Sequence, residues 1–112
     1  MILTITSLEL KTPFHFFVFA NYARKNVGQL KRSKVVKFKS RGFWKTHYTM
    51  SLWNNEEEMR QYARSGAHLD SMKQSGKVAQ TIRTLTIDRS EMPAWPEART
   101  LLKAEGRVIQ YG

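Results

Sequence analysis

The chain has no cysteine. That excludes disulfides, thiolate zinc sites and a cysteine nucleophile together, and it leaves the redox compartment open. No apolar run approaches the roughly 20 residues needed to cross a bilayer. The opening Met1-Ile2-Leu3-Thr4-Ile5-Thr6 lacks the basic region of a secretory leader. A soluble, cytoplasmic protein is the expectation. Acids are nearly missing from the first half: residues 1 to 55 hold ten lysines and arginines with Glu9 as the single acid, whereas residues 56 to 112 hold nine against eight. The net charge of +10 is therefore local. Such a patch attracts polyanions or an anionic small ligand, or serves as a solvated face that aids solubility.

Other signatures are missing as well. There is no glycine-rich phosphate loop, no dinucleotide-binding fingerprint and no Ser-His-Asp context. The three histidines, His15, His47 and His68, have no paired carboxylate motif near them and do not follow a zinc or non-haem iron spacing, so no metal site is expected.

What is present reads as one folded domain over residues 1 to 112, since 41% hydrophobic and 25% charged residues make an ordinary globular composition. Residues 2 to 10 are rich in β-branched residues and leucine without a turn former, which predicts a strand. Ile2, Thr4, Thr6 and Leu8 fall on one face and Leu3, Ile5 and Ser7 on the other, which suits a central strand covered on both sides. Thr12-Pro13 reads as a helix start, with Thr12 as cap and Pro13 where its missing donor costs nothing. Phe16, Ala20, Ala23, Val27 and Leu30 then mark one helical face.

Val35 to Ser40 alternates, with Val36 and Phe38 opposite Lys37 and Lys39. Arg41-Gly42 reads as a turn into an antiparallel strand from Trp44 to Trp53. On that strand Trp44, Thr46, Tyr48, Met50 and Leu52 share one face, and Lys45, His47, Thr49, Ser51 and Trp53 share the other, semi-polar one. Asn55 followed by Glu56, Glu57 and Glu58 predicts a capping box opening a helix, with Met59, Tyr62 and Ala63 as its buried stripe. Helix is expected to resume after Gly66 and stop at Gly76, followed by a strand from Val78 to Asp88. Pro93 to Pro96 marks a boundary before a helix at Glu97 to Glu105, ended by Gly106, and a strand at Arg107 to Tyr111.

This order, βαββαβ with a C-terminal helix and short strand, is the α+β ferredoxin-like plan: an antiparallel sheet with two helices on one face and the other face open. An apolar open face has to be covered. In Thr49-Met50-Ser51-Leu52-Trp53-Asn54-Asn55-Glu56-Glu57-Glu58-Met59 a strand ends in tryptophan and feeds an acid-started helix, and Ser65-Gly66-Ala67-His68 follows. That stretch resembles the dimeric α/β-barrel superfamily, near its antibiotic biosynthesis monooxygenase and spheroidene monooxygenase branch. The resemblance implies a homodimer in which two sheets cover each other. Members of the superfamily include cofactor-free oxygenases and haem-degrading enzymes, so no cofactor, or haem, is what it implies here. The Asn-Trp-His set of the quinone-forming oxygenases is not matched as a pattern.

Carried over residue by residue, the resemblance puts Trp53 at the strand-end tryptophan and His68 at the histidine after the first helical stretch. With His47 these are the candidate catalytic residues; His68 otherwise caps a bend. Thr49 and Ser51, beside His47 on the same strand face, would orient a planar aromatic or polyene substrate if that face lines a cavity, and would otherwise be buried in a dimer interface. Phe14, His15 and Phe17 begin the first helix at the mouth this fold leaves open, as a substrate contact or as a core aromatic cluster. Two functions stand side by side: a monooxygenase-like enzyme for a hydrophobic or aromatic small molecule, and a non-catalytic binding protein for such a molecule, for haem or for nucleic acid. Nucleic acid ranks lowest, because the aromatic pair on adjacent central strands that stacks bases is not evident.

Overall fold

A computed structural model describes residues 1–12, 16–43, 45–64 and 79–110. The elements are β1 (Ile2–Leu10), α1 (Phe16–Lys31), β2 (Lys37–Phe43), β3 (Thr46–Trp53), α2 (Glu56–Ala63), β4 (Ala79–Asp88), α3 (Trp95–Glu105) and β5 (Arg107–Gln110). The five strands form one sheet in the order β2-β3-β1-β4-β5, antiparallel at every pairing. The α+β ferredoxin-like expectation holds, with β5 added at the edge beyond β4. None of the described helices is long and apolar enough to cross a membrane.

The split along β1 decides the rest. Leu3 pairs with Leu52 on one side and Ile87 on the other, and Ile5 pairs with Met50 and Leu85. Side chains of paired residues share a face, so these six apolar residues lie together. α3 packs on this face through Ala98 and Leu102, completing a core in which Leu3, Ile5 and Ala98 are fully buried. Trp95 reaches Tyr48 with ring centroids 6.3 Å apart, and the Arg99 guanidinium lies 5.8 Å from the centre of the same ring. The C-terminal helix thus covers a large part of the face expected to stay open, because Trp95, Ala98, Leu101 and Leu102 give it an apolar stripe that only this face can bury.

The opposite face carries Thr4, Thr6 and Leu8 of β1, His47, Thr49, Ser51 and Trp53 of β3, and Thr84 and Thr86 of β4. It lies beneath α1 and α2. Those two helices are tied together by Gln29 Nε2, which donates to the Tyr62 carbonyl at 3.1 Å. Asn55 caps α2 as expected, accepting from the Glu58 N–H at 2.9 Å. The return bond of the capping box is not made, and Glu58 Oε2 is buried without a hydrogen-bond partner.

Two boundaries differ from expectation. Arg41 and Gly42 are not a turn but the last part of β2, where Gly42 pairs with His47, so the reversal falls between Phe43 and Thr46. α3 begins at Trp95, earlier than expected, because Pro96 sits in its first turn, where no backbone donor is needed. The expected helix from Ala67 to Gly76 and the first helical position expected at Pro13 lie outside the described residues. On β2, Lys37, Lys39 and Arg41 are exposed along the edge strand, which discourages pairing with a foreign strand.

Replacing Leu3 by alanine should remove a fully buried side chain from the α3-covered core. A loss of about 2–5 kcal/mol is expected from urea unfolding, with the slope unchanged. A loss under about 1 kcal/mol would show that α3 does not close this face.

Candidate functional site

Between the hydroxyl-bearing face of the sheet and the two helices α1 and α2 lies an open cavity of about 550 Å³. Among the described residues its floor is made by Thr and Ser side chains of β1, β3 and β4 with Leu8, Phe38, His47 and Trp53, and its helical wall by Asn26 and Leu30 of α1 and Met59, Tyr62 and Ala63 of α2. Strand alternation builds the floor: every second residue of the neighbouring strands points the same way, and here those residues carry hydroxyls. Thr4 and Thr86 meet across β1 and β4 with their Oγ1 atoms 3.3 Å apart, and Thr6 and Thr84 do so at 3.4 Å. The helical wall is mostly hydrocarbon because the amphipathic stripe of α2 faces the sheet.

Trp53 closes the inner end. It is fully buried, its ring lies 5.4 Å from that of Tyr62 at 30°, and its indole Nε1 donates to Ser51 Oγ at 2.9 Å. The indole N–H is thereby committed to the wall, which gives Trp53 a shaping part. Tyr62 donates its phenol O–H to the Asn26 carbonyl at 3.4 Å, a long bond. Burial pushes the phenol pKa up to about 12, so Tyr62 is a neutral donor at any physiological pH.

His47 sits on β3 opposite Gly42, half-buried. The imidazole occupies the space that a side chain at 42 would take: a Cβ there would collide with His47 Nδ1 and lie 2.7 Å from Cε1. Gly42 is thus a glycine of close approach rather than of a turn.

Of the candidate residues, the structure brings His47, Thr49, Ser51 and Trp53 together at the cavity. Phe14, His15 and His68 lie outside the described residues. Phe17 is on α1, with its backbone alone described. Tyr62 and the paired threonines were not singled out by sequence reasoning; the Tyr62 helical stripe and the even-numbered threonines of residues 2 to 8 were the available signals. No group of three or more metal-ligating side chains occurs among the described residues. Among the described lining residues His47 is the imidazole that would ligate a haem iron, and no step is derived through haem.

No protein-family model matches the chain, and no curated protein sequence does. Solved structures do. An antibiotic biosynthesis monooxygenase superposes with a TM-score of 0.72 at 9% identity, over 81% of this chain and 100% of its own. A conserved protein from Methanosarcina mazei Go1 gives 0.71 at 11% identity, over 80% and 92%. A protein from Shewanella oneidensis gives 0.71 at 10%, over 79% and 89%. At such identities the likeness speaks for the fold alone. The chain is a ferredoxin-like α+β protein. Its fold is like that of the antibiotic biosynthesis monooxygenase structures.

Two outcomes test this geometry. Gly42→Ala should turn the His47 imidazole away and shift its ring resonances in NMR spectra; unchanged resonances would show that the ring does not rest on Gly42. Tyr62→Phe should flatten the alkaline limb of stability. Because the folded phenol titrates near 12 and the unfolded one near 10.0, the unfolded chain sheds its proton first, and wild-type stability falls as pH rises through that window. Equal losses in wild type and Tyr62→Phe across the window, by denaturant unfolding, would mean that Tyr62 is not buried.

Proposed function

We propose that the chain takes a hydrophobic or aromatic small molecule into the cavity between its sheet and α1/α2, in the manner of a monooxygenase-like enzyme. The observation that carries this reading is the cavity itself, of about 550 Å³, with a hydrocarbon wall, a hydroxyl floor and His47 at its side. A volume of this size suits a drug-sized ligand. His47 supports the catalytic half. It is the one imidazole in the cavity wall among the described residues and can accept the proton of a phenolic substrate. The resulting anion is electron-rich enough to react with dioxygen, so that a hydroxyarene and O₂ give a quinone and water. Tyr62, a neutral phenol, and Trp53 shape the wall and do not take the proton.

Non-catalytic binding is the second reading. It is favoured by the commitment of the Trp53 indole N–H to Ser51, which leaves His47 to handle the proton alone. A homodimer belongs to the same proposal. On the α3-covered face, the second copy would meet the margin left beside α3, where Tyr48 lies near Lys39 and Arg41 of β2.

Oxygen uptake with a hydroxynaphthalene in air-saturated buffer separates the readings. The enzyme reading expects uptake well above the buffer rate and a loss of about 10²-fold or more in His47→Ala, the usual scale for one general base. Uptake at the buffer rate, with the hydroxynaphthalene bound, would leave the binding reading in its place.

A further inference from the structure

We infer that the cavity is built for a facially amphipathic molecule, with hydroxyl groups on one face and hydrocarbon on the other. This rests on the reading of the cavity as the ligand site and narrows the ligand's chemistry. A sheet face packed beneath helices is ordinarily aliphatic, as the α3-covered face of this same sheet is. The face beneath α1 and α2 instead presents Thr4, Thr6, Thr49, Ser51, Thr84 and Thr86 to the cavity. Their spacing follows from the sheet: about 4.8 Å across neighbouring strands and nearly 7 Å along each one. The opposing wall is Leu30, Met59 and Ala63 with Asn26 and Tyr62, whose phenol O–H is already committed to the Asn26 carbonyl.

The cross-strand bonds do not exhaust the floor. A hydroxyl has one proton and two lone pairs, so each threonine pair, joined by a single bond, keeps one proton and further lone pairs for a ligand. An apolar plate lying here would strip water from these groups and replace it with nothing, which weakens binding. A saturated ring skeleton with hydroxyls standing off one face meets the floor with oxygen and the helices with carbon.

Two bile acids that differ in one stereocentre make the test. Chenodeoxycholate carries both hydroxyls on one face, and ursodeoxycholate has one of them turned to the other, with the same formula and carboxylate. Binding by calorimetry below the micellar range should favour chenodeoxycholate by about fivefold, the scale of one neutral hydrogen bond. The preference should vanish in the Thr6→Val/Thr84→Val variant, which keeps shape and loses two hydroxyls. Equal binding of the epimers to wild type, or a preference that persists in a folded variant, overturns the inference and leaves the cavity reading standing. Failure of both epimers to bind overturns the inference; failure of the hydroxynaphthalene as well overturns the cavity reading with it.

Discussion

The alternation along β1 is the constraint on which both layers of the molecule depend. Leu3 and Ile5 are fully buried on one side of the sheet, while Thr4 and Thr6 look out from the other. A strand in the middle of a sheet has to satisfy two coverings, and here the two are chemically different. The aliphatic side holds α3 through close contact with Ala98 and Leu102. The hydroxyl side cannot be closed by hydrocarbon helices at the same density, because each threonine would lose its water for nothing. An open cavity on that side is the physical outcome. Its walls are then set by what α1 and α2 turn toward it.

The stability of the protein and the capacity of the cavity are thus assigned to opposite faces. The aliphatic core cluster lies on the α3 side, where Leu3, Ile5, Met50 and Leu52 pack with Ala98 and Leu102. The α2 side contributes less: Trp53 is buried against Tyr62, but the helix has no fully buried residue. Ligand binding can therefore be altered on the hydroxyl face with modest damage to the core. The same division explains why Tyr62 keeps its proton, since it stands where hydrocarbon and partial burial meet.

Much of this was legible in the residues. The period-two pattern of β1 and β3, the acid-rich start of α2 and the Gly106 stop of α3 each express a local physical rule, and the strand and helix order followed from them. The semi-polar face of β3 and the candidates His47, Thr49, Ser51 and Trp53 were legible for the same reason. What local rules could not supply was layer assignment. Whether α3 lies on the open face or away from the sheet depends on packing across the chain, which gathers Ala98 and Leu102 into one cluster with Leu3 and Met50. Gly42 shows the other limit: glycine before a strand reads as a turn, and only the position of the His47 ring reveals a close approach instead. Thr84 and Thr86 were read simply as strand residues, because their partners Thr6 and Thr4 are some 80 positions earlier.

The central claim is that a small molecule lies between the hydroxyl floor and the helical wall. Intermolecular nuclear Overhauser contacts with an added hydroxynaphthalene test it most directly. The account predicts contacts from one bound ligand to the methyl groups of Thr6 and Thr84 below and to those of Leu30 and Met59 above. Contacts confined to the α3 side of the sheet, around Tyr48 and Trp95, or to no methyl of the cavity at all, would contradict it.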